Sequence, residues 1–251
     1  MIFRIYAKFH ALSFAYKHEH PDSFQEITKD LVDIRVCKHK QNDIRCLEAA
    51  YLAAIGNLDA DIIKTFMNID FKETVANARQ YNGSYSCLTH VDYRLCNLMF
   101  KYDKTSNNAL ENVKLINFQL TCASTPVHDL STIFYTHAGK TDMDKLDCYL
   151  RIYYNSFSEF LQELGGDPQQ IYPCAVLIEE WKIYSAGAIA IGVAFWIQKL
   201  LDENELSSIT SQEDPTKIKF WTPKISETRE GQIFQKRATD ICKHAVEYGI
   251  F

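Results

Sequence analysis

An acid and an amide five residues apart, Asp92 and Asn97, close the stretch Thr89-His90-Val91-Asp92-Tyr93-Arg94-Leu95-Cys96-Asn97, and a second amide, Asn117, follows. Before this loop, the alternating run Tyr85-Ser86-Cys87-Leu88 reads as a strand entering it. Two β-rich runs come after it, Leu98 to Tyr102 and Val113 to Phe118, separated by Asp103-Lys104-Thr105-Ser106-Asn107-Asn108. That pattern predicts a hairpin with a long loop. A hairpin centred near Asn107 sets Asn97 and Asn117 opposite each other at its open end, roughly 5 Å apart between backbones. Asp92, one turn of loop earlier, joins them. An acid with two oxygen donors is how phosphotransfer sites place a base and a metal. In that template an Asp accepts the hydroxyl proton, an Asn five residues later holds magnesium, and an Asp on the next segment completes the clamp; here the third part is Asn117.

His90 to Asp103, followed by Leu115-Ile116-Asn117-Phe118-Gln119-Leu120, resembles the ecdysteroid kinase-like (CHK kinase-like) family of insects. That family is related to choline kinases and aminoglycoside phosphotransferases within the protein-kinase-like fold. Its catalytic loop usually reads His-Gly-Asp-x-Trp-x-x-Asn, and its metal motif reads Asp-Phe-Gln. Ala7-Lys8-Phe9-His10-Ala11-Leu12-Ser13-Phe14-Ala15 resembles the helix after that family's hinge, and Pro126-Val127-His128-Asp129-Leu130 resembles its Pro-x-x-Asp-Leu run. This chain departs from the pattern at Val91 for Gly, Arg94 for Trp and Asn117 for Asp.

The resemblance implies roles residue by residue. Asp92 is the base, or on the plainer reading a loop-capping Asp. His90, placed with it among the catalytic residues, orders the loop through hydrogen bonds. Asn97 and Asn117 occupy the metal and cofactor positions, with a turn-former as the alternative at Asn97. Arg94 reads either as a phosphate contact or as a solvated arginine. Asp129 matches a buried structural Asp. ATP and magnesium are the implied cofactors. Replacing a carboxylate by the neutral amide of Asn117 removes charge complementarity for magnesium, and Val91 strains the loop if its position needs φ > 0.

The surrounding elements are mostly helical. Residues 1–20 carry Ile2, Ile5, Tyr6, Phe9, Leu12 and Tyr16 at helical spacing, an amphipathic helix docked on a core and not a signal peptide. Ser23-Phe24-Gln25-Glu26 reads as a capping box opening a helix to about Val32. Further helices are predicted over 43–55, over 59–79 with a break near Asn68, and over 142–164 with Leu146, Leu150, Tyr153 and Phe157 inward and Gly165-Gly166 as its stop. The last two span 172–201 and 230–248, with a charged surface loop over 202–225. The apolar run from Ala186 to Ile197 is bounded by Lys182 and Lys199, too short to span a membrane and suited to a buried helix.

The chain has 251 residues, 47% hydrophobic and 24% charged, with a formal charge of −5, which leaves no electrostatic footprint for nucleic acid. Eight cysteines (Cys37, Cys46, Cys87, Cys96, Cys122, Cys148, Cys174, Cys242) include no CxxC pair, as expected for reduced thiols in a cytoplasmic protein. Cys96 has no assignable base and reads as a packed thiol. His18-Glu19-His20 reads as a solvated cluster, because i,i+2 spacing splits the histidines between faces. Trp181, Trp196 and Trp221 read as core or pocket-lining aromatics. The nine glycines form neither GxGxxG nor a P-loop, and no Val-Ala-x-Lys strand precedes the loop.

The expected fold is therefore mainly α with a small β-hairpin, the C-terminal large lobe of a protein-kinase-like fold with the N-terminal ATP lobe absent. It is read as one domain over 1–251, with helical segments at 1–83 and 131–251 around the catalytic stretch 84–130. The implied activity is ATP-dependent phosphorylation of a hydroxyl on an ecdysteroid or similar apolar alcohol. The alternative is a catalytically inactive kinase-like binding or scaffold protein.

Overall fold

The computed structural model describes residues 1–31, 40–81, 83–105, 109–200 and 227–251. Its amino-terminal helices are α1 (Ile2–Glu19), α2 (Pro21–Thr28), α3 (Lys40–Ala54), α4 (Ala60–Met67) and α5 (Phe71–Arg79). Four short strands follow, β1 (Cys87–Thr89), β2 (Leu98–Asp103), β3 (Ala109–Leu115) and β4 (Cys122–Ser124). The remaining helices are α6 (Pro126–His137), α7 (Lys140–Met143), α8 (Leu146–Glu163), α9 (Pro168–Ile171), α10 (Cys174–Leu200) and α11 (Arg229–Glu247). These elements divide into two compact units.

The first unit comprises Met1–Ile34, Tyr81–Ile133 and Lys145–Glu180. Its core forms where α1 lies along α8, with Phe3 on Tyr149 and Phe14 edge-on to Phe157 at ring separations of 5.6 and 5.7 Å. Leu146, Leu150, Tyr153 and Phe157 point inward as their spacing predicts. The helix ends as expected at the glycine pair. Gly165 takes φ +85°, Gly166 N donates to Leu161 O and Gly165 N to Gln162 O, an arrangement open to a residue without a side chain.

The buried face of α1 is Phe3, Tyr6, Ala7, His10, Ala11 and Phe14, whereas Leu12 is 54% exposed. Small alanines admit close helix approach and the polar His10 has partners inside, two things a count of large apolar residues does not register. Helix α2 starts at Pro21 with His20 as its N-cap, so Ser23 lies inside the helix and forms no capping box. Proline presets the φ of a first helical turn and lacks only an amide that would be unbonded there. The helix expected over 142–164 is two, α7 and α8, parted at Asp144-Lys145.

Two separate two-stranded sheets occur in this unit, one more than expected. In the first, β1 pairs antiparallel with the unforeseen β4, Cys87 opposite Ser124 and Thr89 opposite Cys122. At three residues each, these strands carry almost no periodicity to read. The predicted hairpin is the second, β2 with β3, and its proposed centre at Asn107 lies outside the described residues. Leu98 pairs with Leu115, which sets Asn97 opposite Ile116 and not Asn117, and a register irregularity falls between Lys101 and Tyr102.

The second unit comprises Arg35–Gln80, Phe134–Asp144 and Trp181–Phe251. Here α3 packs on α11 and α5, with Tyr51 stacked on Phe66 at 5.2 Å and Phe251 edge-on to Phe66. Helices α4 and α5 part at Asn68 to Asp70, as predicted. The apolar run within α10 is buried through Ile189, Val193 and Ile197, and no described helix is long and apolar enough to cross a membrane. Trp181 is fully buried core, and Trp196 donates Nε1–H to Thr136 O at 2.9 Å. The expected loop over 202–225, Trp221 and Cys37 lie outside the described residues.

Candidate active site

The loop after β1 is fixed from behind by one carboxylate. Asp129, in the first turn of α6 and 3% exposed, accepts from His90 N at 2.6 Å and Val91 N at 2.7 Å. His10 of α1 reaches the same carboxylate through Nε2 at 3.2 Å, and its Nδ1 lies 3.0 Å from Tyr153 OH on α8. Burial alone raises the Asp129 pKa, but the His10 contact and the two backbone amides outweigh it and hold the carboxyl below its usual range. Val91 adopts φ +67°, a left-handed conformation at the position where the resembled family has glycine.

Helix α1 zips the approach to this loop with a polar stripe. Ser13 Oγ accepts from Leu88 N at 2.7 Å, and Lys17 Nζ donates to Ser84 O, Ser86 O and Ser86 Oγ at 3.1, 3.0 and 2.8 Å. Sequence reasoning missed His10, Ser13 and Lys17 as positioning residues. Their i, i+3, i+7 spacing was the available signal, a polar row running through an otherwise apolar helix.

His90 is fully buried, its Nε2 2.8 Å from the Ile116 carbonyl. A carbonyl only accepts, so Nε2 carries the hydrogen. The ring stands edge-on to Phe118 at 4.9 Å. His90 thereby joins the loop to the strand end that carries Asn117.

Asp92, 4% exposed, sits under a forked contact from Arg94. Arg94 Nε donates to Oδ1 at 2.8 Å, Nη2 to Oδ2 at 2.5 Å and the backbone N to Oδ1 at 3.3 Å. Burial pushes the Asp92 pKa up. The Arg94 hydrogen bonds and charge, with a smaller effect from the Asn97 amide, bring it below the usual carboxylate range, while Asp92 raises that of Arg94.

Asn97 ends the 3-10 turn Leu95–Asn97 and is 4% exposed. Its carbonyl accepts from Ile116 N at 3.0 Å, and its Oδ1 accepts from Asn117 Nδ2 at 3.2 Å. Asn117 also has φ +67°, a conformation asparagine tolerates better than most residues. This twist swings its side chain back to Asn97 although Ile116 is the residue opposite. The expected meeting of the two amides thus occurs by a local turn at the strand end.

Asp92, Arg94, Asn97 and Asn117 form one cluster with His90 and Asp129 beneath it. Cys96 is an exposed free thiol, and His20 lies 3.9 Å from Glu19, with both side chains more than half exposed, and against the Tyr16 ring. Among the described residues, no group of three or more His, Cys, Asp or Glu gathers in a way that could hold a metal ion. A cavity of about 310 Å³ in the same unit is bordered by α1, β3 and α8 and includes none of the cluster.

The ecdysteroid kinase-like family model matches residues 1–166, which contain every residue of the cluster. No curated protein and no solved structure gives a significant match.

Proposed function

Because this chain belongs to the ecdysteroid kinase-like family, we propose that it transfers the γ-phosphoryl group of ATP to the hydroxyl of an apolar small-molecule alcohol, an ecdysteroid or similar compound. The observation that carries this reading is the convergence of Asn97 and Asn117 at the hairpin's open end, 3.2 Å apart at their side chains and downstream of Asp92. Asp92 takes the proton of the acceptor hydroxyl as the new oxygen–phosphorus bond forms. The bond to the β-phosphate bridging oxygen breaks in the same event, and ADP leaves with its electron pair. His90 and Asp129 hold the loop, Arg94 contacts phosphate, and Asn97 and Asn117 face the nucleotide. A cytoplasmic setting suits the dispersed cysteines.

The family implies magnesium, which would supply charge neutralisation of the phosphates. The residues here fit it poorly. Magnesium favours carboxylate and other oxygen ligands, whereas Asn117 presents Nδ2 to Asn97 and Arg94 holds both oxygens of Asp92. This degenerate motif is what a second reading draws on, a kinase-like binding protein that transfers no phosphate. Family membership favours transfer.

The test is Asn117→Asp in the full-length protein. Calorimetric titration with Mg-ATP is expected to show affinity rising about tenfold as a carboxylate returns to the site. Flat affinity would show that Asn117 is not the metal position. Failure of both proteins to move labelled phosphate from ATP to an ecdysteroid or a panel of apolar alcohols would leave the binding reading.

A further inference from the structure

Resting on the phosphotransfer reading, we propose that Arg94 is a latch on Asp92 that a phosphate oxyanion opens, the guanidinium exchanging carboxylate for phosphate so that Asp92 is freed to meet the acceptor hydroxyl. In the closed form both carboxylate oxygens are committed to the Arg94 fork, at 2.8 and 2.5 Å. A carboxylate held in this way is a poor proton acceptor. The two partners differ sharply in access, with the Asp92 side chain 2% exposed and that of Arg94 52% exposed. An anion can therefore approach the guanidinium from solvent while the carboxylate stays covered.

The exchange conserves the hydrogen bonds of Arg94, while Asp92 gives up its two bonds from the fork for the acceptor hydroxyl. A guanidinium fork fits two oxygens of a phosphate as it fits two of a carboxylate, so Arg94 loses no acceptor on switching. The latch is also local. Arg94 and Asp92 are two residues apart, while the loop's anchorage runs through His90 N, Val91 N and Asp129. Opening it leaves that anchorage untouched. Charge points the same way: of Asp92, Arg94, Asn97 and Asn117, Arg94 alone is cationic, so an arriving phosphate meets its counter-charge there.

The experiment is a double-mutant cycle on the full-length protein, titrated calorimetrically with sodium tripolyphosphate and with ATP, both free of divalent metal. Arg94→Met is expected to weaken binding about tenfold, and Asp92→Asn to tighten it several-fold by releasing the guanidinium, a gain that vanishes when Arg94 is Met. Arg94→Lys keeps the charge without the fork and is expected to fall between wild type and Arg94→Met. The latch is overturned if Asp92→Asn gives the same gain with and without Arg94, if Arg94→Met and Arg94→Lys bind as wild type, or if wild type binds no tripolyphosphate. Binding of ATP with additive variants would sink the latch and leave the phosphotransfer reading standing. Coupled binding of tripolyphosphate with no phosphoryl transfer would uphold the latch and count against that reading.

Discussion

Asp129 keeps its charge in a dry interior because two backbone amides and the His10 ring converge on it. Removing it leaves those donors buried without an acceptor, so Asp129→Ala is expected to cost about 3–5 kcal/mol in denaturant unfolding. The pH dependence follows from the depressed pKa. The unfolded chain binds a proton at this Asp near pH 3.9, and the folded chain only at lower pH. Its contribution is present above about pH 3.9 and lost as pH falls through the folded value. Asp129→Asn is expected to flatten that acid limb of the stability curve, and an unchanged limb would show that other carboxylates govern it. At this scale the sequence was informative about identity and silent about partners. Val91 and Asn117, flagged as departures from the family pattern, both turn out to hold φ +67°. The fork of Arg94 on Asp92 was not foreseen, since spacing alone left Arg94 between a phosphate contact and a solvated side chain.

Among the elements, α10 shows how packing reverses a local preference. Gly192 lies against α6 so closely that an added Cβ would stand 2.6 Å from Tyr135 O and 2.8 Å from its carbonyl carbon. In an open helix Gly→Ala gains about 1 kcal/mol. Here the obstacle is backbone, which cannot rotate away, and Gly192→Ala is expected to lower stability by about 1–3 kcal/mol. A gain in the denaturation midpoint would disprove that contact. The element boundaries illustrate what periodicity reaches. Helices α8, α10 and α11 lie within a few residues of their predicted ranges because each repeats its pattern over several turns. The inner face of α1 and the strand β4 were misread or missed, the first because alanine and histidine carry the packing and the second because three residues show no period. Glu180 was likewise unforeseen. It gathers Tyr81, Thr125 and Tyr172 hydroxyls at 2.8, 2.6 and 2.9 Å, and burial raises its pKa where Asp129, with stronger donors, is lowered.

For the molecule as a whole, a net charge of −5 gives no electrostatic footprint for nucleic acid, in keeping with a kinase-like family. If ATP binds only the folded chain, a hundredfold excess over its Kd adds about 2.7 kcal/mol. For a protein of this size that raises the melting temperature by about 5–10 °C. No shift with ATP, with or without magnesium, would remove the nucleotide from the proposed reaction. The sequence by itself determined the family, the order of Asp92, Asn97 and Asn117, and most helices, because motif spacing and helical period are properties of neighbouring residues. Tertiary structure alone decided which face of α1 turns inward, the one-residue register that sets Asn97 opposite Ile116, and the fixing of the loop by a carboxylate and a histidine 119 positions apart. Burial and hydrogen-bond satisfaction are settled between distant segments, and no local pattern encodes which of them will meet.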